Sequence, residues 1–195
     1  MNYLKYVSDS CIECGLCTKN CSFLKKYEIN LKDFTQREDL AYSCFQCNKC
    51  ASVCPKNLNG TYVSKALRNK NPKYKSVKKN KDKYPFRNLP KTKGESKDLL
   101  YLGCNFPAFY PETSKELIKI FKDKGFSFSI DCCRKPVASS GYPVENSPYL
   151  EEQIKNLKVE RIVTACPNCY HFLQNKYDCK TVSYTHLTLP TSDLV

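Results

Sequence analysis

A chain of 195 residues with 41% hydrophobic content can bury one large or two small cores, and no apolar run in it approaches the length of a membrane span. Its formal charge of +13, from 32 Lys+Arg against 19 Asp+Glu, invites a nucleic-acid reading that the charge distribution opposes. Lys65 to Lys97 holds 13 basic and 2 acidic residues, so the surplus is concentrated there and the remainder is close to neutral.

From the front, MNYLKYVSDSC has no apolar signal-peptide core, so a cytoplasmic location is expected and disulfides are disfavoured. Fourteen cysteines against one Met also fit an anaerobic cytoplasm. Cys11, Cys14, Cys17 and Cys21 follow C-x2-C-x2-C-x3-C, and Cys44, Cys47, Cys50 and Cys54 repeat that spacing and add Pro55. In such runs three thiolates hold one iron–sulfur cube and the fourth reaches across to the other. The expected sets are therefore Cys11, Cys14, Cys17 with Cys54, and Cys44, Cys47, Cys50 with Cys21. Zinc ribbons also use C-x-x-C pairs, but they need no third cysteine at the same interval.

Between the runs, Leu24, Tyr27 and Leu31 recur at helical intervals, and Arg37 to Tyr42 is built of good helix formers. After Pro55, Thr61 to Asn69 reads as a closing helix. This long, helix-prone bridge resembles the α-helical ferredoxin domain of fumarate reductase and heterodisulfide reductase subunits, over residues 1–70. The resemblance implies two 4Fe–4S clusters. Residues 71–97, with Pro72, Pro85 and Pro90, read as a solvated basic linker. Docking of an acidic redox partner and nucleic-acid binding are its alternatives, and no nucleic-acid partner is expected.

From Asp98 the pattern changes. Leu99 to Leu102 suits a buried strand, Pro111 opens a helix with Leu117, Ile118 and Phe121 on one face, and Phe126 to Ile130 alternates as a strand. Ser147 is expected to cap a helix over Pro148 to Leu157, before a third strand from Arg161 to Ala165. The fold class expected is an α-helical ferredoxin-like domain plus a small α/β domain with a short, mostly parallel, truncated sheet.

Cys104 follows the first strand, Cys132 and Cys133 the second, and Cys166 and Cys169 the third. Open α/β sheets gather ligands at these carboxyl ends. The order C…CC…C-x-x-C resembles the cysteine-rich CCG domain of heterodisulfide reductase catalytic subunits. It is similar also to iron–sulfur subunits of glycolate oxidase, lactate-utilisation proteins and anaerobic glycerol-phosphate dehydrogenase. The resemblance implies that these five cysteines, over residues 98–181, hold a third, noncubane iron–sulfur cluster. Zinc and unliganded thiols are the alternatives. Arg134 stands where the motif's name expects glycine. Cys179 is left over, His171 either decorates a helix or donates to the cluster, and the Ser139-Ser140-Gly141 turn with Tyr142 is expected to cover the cluster loop.

Residues Val182 to Thr191 (VSYTHLTLPT) read as a translated transposon adapter from library sequencing, so 182–195 is expected to be a non-native tail that cuts the sheet short at three strands. With no G-x-G-x-x-G fingerprint in the chain, flavin or nicotinamide chemistry is assigned elsewhere. The function expected is an electron-transfer subunit of an oxidoreductase, of the heterodisulfide reductase or hydroxy-acid and glycerol-phosphate dehydrogenase type. Its partner would be a flavoprotein or ferredoxin, with peripheral membrane association compatible. A stand-alone ferredoxin-like carrier and a zinc-stabilised basic binding protein are the rivals.

Overall fold

Asn2 opens the first helix, α1 (Tyr3–Ser10), by accepting the Leu4 N–H on its side chain at 3.1 Å. The computed structural model describes residues 2–84, 96–144, 148–174 and 176–185. They form two units, one of residues 1–79 with 136–143 and one of residues 80–135 with 144–195.

In the first unit, α1 is followed by short helices α2 (Leu16–Asn20), α3 (Ser22–Lys26) and α4 (Leu31–Phe34). Asn30 and Asp33 close a reciprocal capping box at the start of α4. Glu38–Ser43 forms a 3-10 helix where the helix formers of Arg37 to Tyr42 suggest an α-helix. Then come α5 (Lys49–Ser52) and the long α6 (Gly60–Lys70), capped by Asn59, whose side chain accepts from Thr61 N–H at 2.8 Å. Leu24, Leu31, Phe34, Leu58, Val63 and Leu67 are buried together, although the helical interval read from Leu24 to Leu31 is broken after Lys26, with Glu28 at φ 53°. Cys17 and Cys50 are part of this core, and Cys11, Cys21, Cys44 and Cys54 pack against it.

Helix α7 (Lys75–Asp82) lies inside the basic segment and buries no residue fully. In the second unit, β1 (Asp98–Tyr101) leads through α8 (Asn105–Phe109) and α9 (Pro111–Asp123) to β2 (Ser127–Ser129). After α10 (Lys135–Ser139) come α11 (Pro148–Asn156), β3 (Arg161–Thr164), α12 (Pro167–Leu173) and β4 (Lys180–Ser183). The Ser147 cap expected for α11 lies outside the described residues, as do Pro85, Pro90 and the end of the adapter-like stretch.

The sheet is parallel throughout, in the order β2-β1-β3-β4. It has four strands, not the three read from the sequence, because β4 pairs Thr181 with Ile162 and Val182 with Val163. β4 draws Val182 and Ser183 from the stretch that reads as adapter. One face packs Leu99, Tyr101 and Ile162 with Leu150, Leu157 and Leu173; the other packs Leu100 and Val163 with Leu117, Ile118 and Phe121 of α9. Covering on both faces is what a parallel sheet requires. Register is pinned at one end by Arg161, whose Nε and Nη2 donate to both Asp98 carboxylate oxygens at 2.6 and 2.8 Å. Among the described residues no helix is long and apolar enough to cross a membrane.

The turn at Ser139-Ser140-Gly141 packs within the first unit. The Ser139 carbonyl accepts from Arg68 Nη1 at 2.9 Å, the Ser140 carbonyl accepts from the Tyr42 hydroxyl at 2.8 Å, and this stretch belongs to the first unit. Gly141, at φ +85°, lets the backbone approach so closely that a Cβ would stand 2.2 Å from the Arg68 carbonyl oxygen.

Candidate iron–sulfur centres

The two cysteine runs fold as repeats of one another. In each, the second residue after the leading cysteine takes a left-handed backbone (Glu13 at φ 55°, Gln46 at φ 57°), and so does the fourth (Gly15 at φ 73°, Asn48 at φ 62°). The turns deliver matching exposures: Cys14 and Cys47 are exposed, Cys17 and Cys50 are buried, and Cys11, Cys44, Cys21 and Cys54 are intermediate. Cys17 rides on α2 and Cys50 on α5, the element that follows each loop.

One cavity is lined by Cys11, Cys14, Cys17 and Cys54, with Gly15, Leu31 and Pro55 also in its wall. The last cysteine of the second run thus joins the first three of the first run. On the other side, Cys44 and Cys50 lie within electrostatic reach of Cys21 and of each other. Backbone amides face these sulfurs: Gln46 N–H donates to Cys44 Sγ at 3.4 Å and Gly60 N–H donates to Cys50 Sγ at 3.3 Å. Burial pushes the Cys17, Cys44 and Cys50 thiols up, with the Gly60 and Gln46 amides pulling the latter two back. Such thiols become thiolates when a positive group supplies the missing charge. Gly60 has no room for a side chain, since a Cβ would stand 2.9 Å from Cys50 Sγ and 3.0 Å from Leu31 Cδ2.

The second unit places all five remaining candidate thiols at one sheet edge. Cys104 follows central strand β1, Cys132 and Cys133 follow its neighbour β2, and Cys166 follows β3, with Cys169 on the first turns of α12. The thiols interact in two groups. Interaction with Cys132 lowers the Cys104 pKa to about 6 and raises that of Cys132. Interaction with Cys169 holds Cys166 down at about 5 and lowers Cys133, while Cys169 itself is raised. Cys179 packs at the edge of one core and His171 is exposed on α12, its ring 5.1 Å from that of Tyr170.

Three features suit these five thiols to a polynuclear group. Gly103, at φ +70°, leaves a gap that a Cβ would fill at 2.8 Å from Cys169 Sγ. The Tyr101 hydroxyl is fully buried, in the field of Cys169 and Cys133, and has no hydrogen-bond partner among the described residues. Arg134, the residue in the glycine position, adopts φ 65°, and its N–H donates to Cys132 Sγ at 3.4 Å. Arginine thus takes the backbone shape that glycine favours, and the close approach is kept. Among the described residues no three Cys, His, Asp or Glu side chains of either unit already converge as metal ligands would.

Lys81, Tyr101, Gly60 and Gly103 were not singled out by the sequence. For the glycines the signal was available, as each stands within a residue or two of a strand or helix terminus near a cysteine. Lys81 carries none, being one of 13 basic residues in its stretch.

Residues 10–58 match the 4Fe-4S dicluster domain family and residues 99–174 match the cysteine-rich domain family. Among curated proteins, a component of the fumarate reductase (CoM/CoB) of Methanothermobacter marburgensis is 23% identical over 216 aligned positions, covering 86% of this chain and 43% of its own length. An uncharacterized iron-sulfur protein of Methanococcus maripaludis is 25% identical over 228 positions, covering 91% of this chain and 46% of its own length. The chain spans less than half the length of these curated relatives, at 43% and 46%. No solved structure matches the chain at comparable significance.

Proposed function

We propose that this chain, in which a 4Fe-4S dicluster domain precedes a cysteine-rich domain, is an iron–sulfur electron-transfer subunit of a multi-subunit oxidoreductase. Cys11, Cys14, Cys17 and Cys54 hold one 4Fe–4S cluster; Cys44, Cys47, Cys50 and Cys21 hold the other. Cys104, Cys132, Cys133, Cys166 and Cys169 hold a third, noncubane cluster. When bound, these groups supply one-electron carriers whose potentials depend on hydrogen bonding, burial and charge. The protein's own contribution is to fix the thiols, to bring amides and glycine backbone against sulfur, and to exclude water with the two cores. The crossed set of cysteines around one cavity is the observation that carries the reading.

A flavoprotein or ferredoxin is the electron partner, and substrate oxidation or reduction at a flavin belongs to it. A relative named as one component of a fumarate reductase supports a reductase complex as the setting.

Anaerobic purification tests the proposal. Brown protein with equal iron and acid-labile sulfide, at roughly twelve iron atoms per chain for three four-iron groups, is the expected result. Colourless protein containing zinc would overturn it. About eight iron atoms per chain would leave a two-cluster carrier with an empty C-terminal site.

A further inference from the structure

The last turn of α7 supplies the second unit with a charged pair, Lys81 and Asp82, from within the segment whose composition reads as linker. Lys81 Nζ donates to Cys104 Sγ at 3.1 Å. The next residue, Asp82, accepts from Arg134 Nη2 at 2.5 Å. Arg134 immediately follows Cys132-Cys133, and its backbone N–H is already on Cys132 Sγ. The chain beyond α7 is fastened as well: the Tyr84 hydroxyl donates to the Ile130 carbonyl at 3.0 Å, two residues before Cys132. Lys81 also lies over the Tyr84 ring, 5.8 Å from its centroid. The Lys81 ammonium thus meets Cys104, while Arg134 meets Cys132 through its backbone N–H and turns its guanidinium to Asp82.

This arrangement has an order to it. An arginine in the left-handed position is a strained choice, yet its guanidinium is almost enclosed, at 14% side-chain exposure, and grips Asp82. That grip fixes the end of α7, and the end of α7 aims Lys81 at Cys104. Arg134 Nη1 remains buried with no hydrogen-bond partner among the described residues. A buried guanidinium donor without an acceptor is costly, and an anionic cluster beside it offers one.

We propose that Lys81 and Arg134 are positioning residues for the C-terminal cluster: Lys81 donates a hydrogen bond to the Cys104 ligand sulfur and stabilises the reduced, more negative state, and Arg134 holds Lys81 there through Asp82. The inference rests on the proposed five-cysteine cluster. Hydrogen bonds and positive charge at ligand sulfur favour electron uptake. The segment that the sequence presents as a solvated linker thus sets how readily this unit accepts one electron.

The test is a mediated redox titration of the anaerobic protein, with one electron per cluster coming from a chemical reductant and followed by electron paramagnetic resonance. Wild type is compared with Lys81→Met, Lys81→Arg and Arg134→Gly. Glycine adopts the backbone of position 134 at less cost, so that variant keeps the left-handed turn while releasing Asp82 and the end of α7. In Lys81→Met and Arg134→Gly the reduction equilibrium of the C-terminal cluster falls about tenfold, 59 mV for one electron. The dicluster signals stay in place, and Lys81→Arg largely restores the wild-type potential. Unchanged potentials in both charge-removing variants, with all three clusters present, overturn the inference and leave the proposed function standing. A wild-type protein with only the two dicluster signals overturns the five-cysteine reading, and the inference falls with it.

Discussion

Arg68 and Cys44 are joined at 2.8 Å, the guanidinium Nη2 donating to the backbone carbonyl of the cysteine. The same side chain donates from Nε to the Ala41 carbonyl at 3.0 Å and stacks over the Tyr42 ring at 4.8 Å. One buried cation from α6 therefore anchors the backbone that leads into the second cysteine run. Burial pushes the Arg68 pKa down, against the pull of Cys44.

Arg68→Ala removes the hydrogen bonds to the Ala41, Cys44 and Ser139 carbonyls and costs about 2–3 kcal/mol, or roughly 4–12 °C in the melting midpoint. Loss of the brown colour on heating follows this change. Arg68→Lys recovers only part of it, since an ammonium has no planar fork with which to serve separate acceptors.

The crossed ligand sets give opposite outcomes for two similar substitutions. In Cys54→Ala, alkylation mapped by mass spectrometry labels Cys11, Cys14 and Cys17 in the otherwise loaded protein. In Cys21→Ala it labels Cys44, Cys47 and Cys50. Labelling confined to the run that carries the substitution would show that each run serves its own cluster.

Gly60 and Gly103 are tests at separate sites. Gly60→Ala forces a methyl group onto Cys50 Sγ, and Gly103→Ala forces one onto Cys169 Sγ at a left-handed backbone. Each is expected to lower iron content by about one cluster, roughly four atoms. Gly60→Ala removes a dicluster signal and Gly103→Ala removes the C-terminal one. A uniform loss from both sites in either variant would mean global unfolding instead.

Tyr101→Phe has effects of opposite sign in the two states of the protein. Without metal, the variant loses a buried hydroxyl that has no partner among the described residues, and stability rises by about 1 kcal/mol in a denaturant titration. With the cluster bound, the lost donor shows as a more negative potential of the C-terminal cluster. Equal effects on both forms would indicate that the hydroxyl finds its partner elsewhere.

The cysteine sites were legible because ligand spacing is a local property. Three thiols must come from one tight loop, and the loop length is written in the chain. β1, β2 and β3 and helix α9 are legible from apolar pattern, and α6 from the family resemblance, which implies a closing helix there. β4 is not legible because Lys180–Ser183 runs into a stretch that reads as foreign. α7 and its Lys81 were hidden for a different reason. Their value depends on Arg134, some fifty positions away, and composition describes a lysine-rich stretch without saying which lysine meets a sulfur. The docking of Ser139 and Ser140 on Arg68 and Tyr42 was likewise a long-range match between a turn and a distant helix.

The left-handed residues of the ligand loops bear on how loading protects such a protein. Glu13, Gln46, Asn48 and Arg134 hold positive φ beside cysteines, and each carries a penalty of up to about 1–2 kcal/mol. Ligation of the neighbouring cysteines would offset that cost, so the loaded protein is expected to resist protease at these loops longer than the metal-free chain.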